Sequence, residues 1–333
     1  SLAKPVVRGL HSQRIIVMNG GVRQEGQQWG TEHAPEIDVF GVNEVEVLRG
    51  PGAVVYGSDA LGGVVRVEPA APPTEAGWGA EFVANAFGNN AQGAGSLMLQ
   101  RGDLMLPWVG QTGFRMRASG RKAGDAQTPD FNMTNTGFTE LSLGADAGVT
   151  RPWGAAGVRY SRFSTELGLY SGAHVGNFED LLRAMEQGPV QSDFTYAIDN
   201  PRQTVTHQVV RAEAHAHIED KGTLHGVYAF QLNQRREFDN HGPLAGRDIP
   251  AFGLDLYTHS LDLGLDHEPI LGMTGRIGVN AMRQGNISRG KGFLIPQYRL
   301  YTGALFASEE LTRGRFTVQS GLRYDYRWQR VFP

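Results

Sequence analysis

The sequence predicts a mainly β protein whose larger part is a series of antiparallel strands of the transmembrane-barrel type. Three observations carry this. From residue 79 onward, segments of about ten residues alternate apolar and polar side chains with period two, as wall strands must. The connectors between them are mostly long and short in turn. No window approaches the ~18 apolar residues of a membrane-spanning helix, a limit that strands escape.

Taken in order, Pro5–Leu10 reads as a turn leading into a strand at Arg14–Val22, closed by Gly20-Gly21. Residues 23–38 are polar and aperiodic, hence a loop, and Glu32, His33, Glu36 and Asp38 are concentrated there. Two readings compete for it. One is a solvated acidic loop; the other is a contact for a divalent metal or cationic ligand, since imidazole and carboxylate together suit Zn²⁺ and similar ions. Val45–Leu48 and Val64–Glu68 are short alternating strands. The connector between them holds Gly50, Pro51, Gly52, Gly57, Gly62 and Gly63, which suggests tight turns with positive φ where a Cβ would clash. Pro69, Pro72 and Pro73 then forbid regular pairing, so a boundary falls near residue 72.

Beyond it the period predicts eleven strands, near 79–87, 93–102, 112–120, 138–148, 154–163, 206–218, 223–236, 253–267, 273–285, 298–310 and 315–328. The last is clearest: Phe316, Val318, Leu322, Tyr324, Tyr326 and Trp328 share one face, and Thr317, Gln319, Arg323, Asp325 and Arg327 the other. Tyr324, Tyr326 and Trp328 gather at a strand end, as in an aromatic girdle at a lipid interface. Connectors after strands three, five, seven and nine read as long, and those after four, six and ten as tight. The second and eighth read as intermediate, and the first as unexpectedly short. Long outer loops and short periplasmic turns fit this parity, with odd strands running outward. Within the longest connector, Asn177–Gly188 reads as a short capped helix.

The formal charge of −3 and the lack of a basic run argue against a nucleic-acid partner. The absence of cysteine removes disulfides, thiolate–metal sites and cysteine nucleophiles together. There is no nucleophile elbow, His-Glu-x-x-His or P-loop, so no enzyme is predicted and no cofactor is required. The strand parity sorts the histidines. His207 lies at the outer end of its strand facing the lumen, and His174 and His241 lie on long outer loops; with His33 these are the candidate ligands. His215 and His217 form a His-x-His pair near the periplasmic rim, where polar lumen lining is the favoured reading.

The ordered pattern Glu46-Val-Leu-Arg-Gly-Pro51, Tyr56-Gly-Ser58 and Leu61-Gly-Gly-Val-Val65 resembles the closing segment of the plug domain of TonB-dependent outer-membrane receptors. Arg49, Gly50, Pro51, Tyr56, Gly57, Gly62 and Gly63 are the positions that carry the likeness. The run Gln27-Gln-Trp-Gly-Thr-Glu-His-Ala-Pro-Glu-Ile-Asp38 is similar to one branch of that family, related to receptors for zinc and similar metals. The resemblance implies a plug (α+β, incomplete at its N-terminus) over residues 1–72 and barrel strands over 73–333, about half of a 22-stranded barrel. It also implies a fragment, lacking the TonB box and the later strands, that does not transport alone. By the same resemblance, the parent protein sits in the bacterial outer membrane in contact with its lipid. It takes up a metal ion or metal chelate with energy delivered by TonB and its inner-membrane motor. A siderophore or haem is the alternative cargo. A passive porin or a β-rich adhesin is the alternative class, although porins lack the plug motif and adhesins have no need of alternating connectors.

Overall fold

A computed structural model describes residues 5–26, 36–170, 172, 178–188, 190–239, 248–292 and 295–332. The N-terminal part is a four-stranded sheet in the order β2-β1-β4-β3. Its strands are β1 (Ile15–Asn19), β2 (Val22–Arg23), β3 (Glu44–Leu48) and β4 (Gly63–Glu68). β1 and β4 run parallel, and the outer pairs are antiparallel. Gly20 and Gly21 both take positive φ, +57° and +74°. That is what a two-residue hairpin of the primed type demands, and it turns β1 directly into β2. Ile16, Met18, Ala53 and Val64 form the small buried core, with Leu48, Tyr56 and Ala60 packed against it.

The glycine-rich connector folds as a 3-10 turn, Pro51–Tyr56, flanked by Gly50 (φ +83°) and Gly57 (φ +135°). Gly63 has φ +128°, and a Cβ there would lie 2.6 Å from the Leu48 carbonyl oxygen. Gly62 is needed for space, since its Cβ would sit 3.0 Å from Leu10 Cβ. Gly52 has open space around it. Three of the five glycines therefore answer the expectation of positive φ, one is there for close packing, and one has neither reason.

The remaining strands form one eleven-stranded antiparallel sheet. They are β5 (Gly77–Phe87), β6 (Gln92–Leu106), β7 (Gly110–Ala123), β10 (Phe138–Arg151), β11 (Gly154–Gly168), β12 (Arg202–Ile218), β13 (Gly222–Phe238), β14 (Phe252–Ile270), β15 (Met273–Ser288), β16 (Gln297–Arg313) and β17 (Phe316–Phe332). Two further short strands, β8 (Ala126–Gln127) and β9 (Asn132–Met133), pair with each other inside a loop. The predicted strands are all present, longer than expected at most ends. The connectors at 107–109 and 271–272, expected to be intermediate, are tight turns. β6 carries a register shift between Arg101 and Leu104, and β14 one between His267 and Ile270. Such a bulge interrupts the period of two and hides the strand's last residues from a pattern reading. Long connectors gather at one end of the sheet and tight turns at the other, except that the short turn 88–91 joins β5 to β6 at the long-loop end. Apolar side chains such as Phe82, Val158, Val210, Leu305 and Leu322 are exposed on the outer face. The helix expected in the longest connector is α1 (Phe178–Gln187), closed by Gly188 at φ +71°; Asn177 lies outside the described residues.

Candidate functional site

The small N-terminal sheet lies against the inner face of β10–β17, and the seam between them is polar. Gln231 of β13 accepts from the Glu25 amide (3.2 Å) and donates to the Arg23 carbonyl (2.9 Å). Gln284 of β15 donates to Glu25 Oε2 (2.9 Å) and to Thr258 Oγ1 (3.0 Å), and accepts from the Tyr298 hydroxyl (2.7 Å). Arg23 in turn holds Glu25 at 3.0 Å and Asp59 at 2.7 Å. Strand alternation builds this wall. In β13, Gln231, Asn233 and Arg235 all point inward, while Phe230 and Leu232 point outward.

Glu36 is the centre of the seam. Its Oε1 accepts from Arg235 (3.1 Å) and its Oε2 from Asn233 (2.9 Å). Asn233 Nδ2 is also 3.0 Å from His207 Nδ1, and that nitrogen lies 3.9 Å from Glu36 Oε2. The three side chains Glu36, His207 and Arg235 are 4 %, 3 % and 1 % exposed. Gly26 makes room for the arrangement, because a Cβ at that position would lie 2.7 Å from the Asn233 side chain. The cluster sits in the third of the wall nearest the long loops, since His207 is near the start of β12 and Asn233 and Arg235 near the end of β13.

The structure thus brings together two of the residues singled out in sequence, Glu36 and His207, from positions far apart in the chain. Asp38 is nearby but occupied locally: its Oδ1 accepts from the Phe40 amide (3.1 Å) and caps a 3-10 turn. Glu32, His33, His174 and His241 lie outside the described residues. Among the described residues no three His, Cys, Asp or Glu side chains are placed to share a metal ion. Glu36 and His207 alone fall short of the three or four ligands zinc requires, and Glu36 already neutralises Arg235.

Sequence reasoning missed Asn233 and Arg235, which looked like ordinary inward-facing strand residues. Only their pairing with Glu36 distinguishes them, and that pairing is long-range. It also missed two anchoring systems. Asp146, Arg115 and Arg159 surround the segment after β4: both arginines donate to the Ala70 carbonyl, at 2.9 and 3.0 Å. Arg159 and Arg115 also lie 3.5 and 3.9 Å from Asp146. A Cβ on Gly102 or Gly113 would run into the Pro73 backbone there, so glycine lets the segment lie flat on the wall. At the loop end, the fully buried Asp125 accepts from the Thr136 amide (3.0 Å) and the Thr195 amide (3.3 Å). Asn135 donates to the carbonyls of Leu169 and Pro201 and accepts from the Asp199 amide. Two long loops are stapled into one rim by these side chains.

The motif residues position the seam from below. The 3-10 turn Pro51–Tyr56 rests on β16 and β17, and Arg323 donates to the Val55 carbonyl at 2.9 Å. Burial pushes the Tyr56 hydroxyl above its ordinary pKa, although Arg66 and Arg276 pull the other way. Arg49 is exposed, with its stem against Gly63. A cavity of about 700 Å³ opens between this turn and the wall, with Tyr56, Asp59, Arg66, His225, Arg276 and Gln284 among its lining.

Comparison with known proteins identifies the N-terminal unit. Residues 1–64 match the family described as TonB-dependent receptor plug domain. A vitamin B12 transporter, BtuB, of Photobacterium profundum is 29 % identical over 146 residues, 43 % of this chain and 23 % of that protein. The copper transporter OprC has the same fold over 100 % of this chain and 50 % of its own, with a TM-score of 0.76 and 14 % identity. The FrpB iron transporter of Neisseria meningitidis matches 96 % of this chain and 51 % of its own, with a TM-score of 0.75 and 14 % identity. The chain therefore spans about half the length of these solved structures. Residues 1–64, which include Glu36, thus match the plug domain of TonB-dependent receptors, and the strands around them share the fold of about half of the solved receptors.

Proposed function

We propose that the protein takes part in capture of a scarce ligand outside the cell and its TonB-energised uptake into the periplasm, and that the ligand is a metal ion or metal complex. The plug covers residues 1–72 and the wall 73–333. TonB and its inner-membrane motor supply the energy. The observation that supports this most is the meeting of plug Glu36 with wall His207 beneath the long loops, directly after the acidic, histidine-bearing stretch Glu32–His33. A ligand held by that stretch and by the outer loops that carry His174 and His241 would sit over the contact that fastens plug to wall. Its arrival would then be felt at Glu36.

Calorimetry with Zn²⁺, Cu²⁺, a ferric siderophore, haem and cobalamin, each repeated on His33→Ala, tests the reading. Binding of a metal or ferric chelate that weakens at least tenfold in His33→Ala is the expected result. Binding of cobalamin alone, or metal binding indifferent to His33, would overturn the metal assignment while leaving the receptor class in place.

A further inference from the structure

The His-x-His pair of β12 takes on a different partner in the folded chain. His215 is register-paired with His225 of β13, whereas His217 is paired with Thr223. The rings of His215 and His225 lie with centroids 5.9 Å apart, inclined by 37°. Two imidazoles bound to one ion, each at a metal–nitrogen distance of about 2.0–2.1 Å, have centroids about 4.5–6.4 Å apart as the angle at the metal opens from cis to trans, and the observed spacing lies within that range. His225 Nε2 is 2.8 Å from Asp266 Oδ2, and Asp266 is itself held by Arg276 Nη2 at 2.7 Å. A carboxylate bonded to one ring nitrogen fixes the ring and makes the other the better ligand, the usual support behind a metal-binding histidine. His217 is occupied differently, with Nδ1 3.4 Å from Thr223 Oγ1. His225 opens on the cavity shared with plug residues Tyr56, Asp59 and Arg66, and both paired histidines lie in the half of their strands nearest the tight turns.

We infer that His215 and His225 form a two-histidine cation site on the periplasmic side of the plug, suited to Cu²⁺, Zn²⁺ or Ni²⁺, with Asp266 as the positioning residue. Because no third such side chain converges among the described residues, water completes the ligand set. A site of two ligands binds weakly and releases readily, which suits a transit station and not a store. Its role in transport rests on the metal reading given above; its capacity to bind does not.

The test uses the full chain carrying His33→Ala, titrated with Cu²⁺ and followed by electron paramagnetic resonance. The parent should show a copper signal split by two nitrogens. His215→Gln and His225→Gln should each abolish that splitting and weaken binding at least tenfold. Asp266→Asn should weaken it about tenfold, and His217→Gln should leave it unchanged. A second readout needs no variant: Cu²⁺ should protect His215 and His225, but not His217, from acylation by diethylpyrocarbonate. Loss of the signal in His217→Gln with His225→Gln intact, or no two-nitrogen signal at all, overturns the inference. Copper binding that calorimetry on the unmutated chain traces to His33, with no two-nitrogen signal in the His33→Ala chain, defeats the two-histidine site alone. The reverse result defeats only the metal reading of the outer site.

Discussion

Replacing Glu36 by glutamine should loosen the plug from the wall without unfolding the wall. The substitution keeps the shape and one acceptor oxygen but removes the charge facing Arg235, whose side chain is 1 % exposed. Breaking a buried pair by removing one partner costs about 3–5 kcal/mol, because the remaining charge stays desolvated. Glu237 lies 3.8 Å from Arg235 Nη1 and offsets part of this, so the lower end, roughly 3 kcal/mol, is the expectation. That energy falls on docking, since the ladder bonds of β13 to β12 and β14 are untouched. Hydrogen exchange on the detergent-solubilised chain reads it directly. The Glu25 amide, which donates to Gln231, should exchange ~100-fold faster, as every 1.4 kcal/mol is tenfold, while amides of β13 stay as protected as before. The double variant Glu36→Gln/Arg235→Gln should recover most of the protection, because no buried charge is left unpaired. Unchanged exchange at Glu25 in the single variant would refute the reasoning. So would a double variant as loose as the sum of the two singles, since it would mean that the pair does not act as a pair.

Other expectations follow from neighbouring geometry. Gly63→Ala forces an L side chain to φ +128° and places its Cβ against the Leu48 carbonyl; it should destabilise the plug by about 2 kcal/mol or more, seen as faster exchange across β3 and β4. Asn135→Ala removes one acceptor and two donor bonds that tie the two outer loops, and limited proteolysis within 190–201 should accelerate at least tenfold with wall strands intact. Tyr56 gives a pH test. Its folded pKa is raised above the ordinary 10.0, so the neutral form is favoured in the docked plug. The stabilisation is complete below pH ~10 and is lost as pH rises through the folded value. Tyr56→Phe should therefore shift alkaline release of the plug, followed by protease access to 51–63, to higher pH; an unshifted midpoint would exclude Tyr56 as the titrating group.

The wall was largely legible because a strand with lipid on one side and a polar lumen on the other must alternate, and alternation is local. Phe316 to Trp328 shows this: apart from Ser320, every second residue is exposed apolar surface, and all of these lie on one face of β17. The ends of β6 and β14 were illegible for the same reason, since a bulge at Asp103 (φ +53°) or after His267 resets the period. Glycine spacing located the plug motif, but it did not show that Pro51–Tyr56 coils into a 3-10 turn against β16 and β17. At the site, Glu36 and His207 could be named from residue type and strand parity. Their proximity could not be, because it depends on how the plug sits in the wall. Asn233 and Arg235 carry no local signal at all, and the same is true of His225, which becomes a partner for His215 only through the register of β12 on β13.

The seam's chemistry bears on how a plug can be both closed and releasable. The plug's own core is small, and the residues that fasten it to the wall include Gln231, Asn233, Arg235, Gln284 and Arg323 on one side and Arg23, Glu25, Glu36 and the Val55 carbonyl on the other. An apolar seam would resist separation in proportion to area, at ~25 cal/mol per Å² exposed to water. A hydrogen-bonded seam yields differently, because water replaces each neutral bond as it opens and the net loss is only about 0.5–1.5 kcal/mol per bond. The two Gln231 bonds can therefore be exchanged one at a time, and the charge-assisted Gln284–Glu25 bond at a higher cost of about 1.5–3 kcal/mol. The exception is Glu36–Arg235, where parting the ions before water arrives is costly. On this reasoning the buried pair sets the threshold for release and the amide contacts set the path after it. A pull on the plug should then show one dominant rupture that disappears in Glu36→Gln/Arg235→Gln, followed by low resistance. A rupture force unchanged in that double variant would place the threshold elsewhere, with the Arg115–Asp146–Arg159 clamp on Ala70 as the next contact to test.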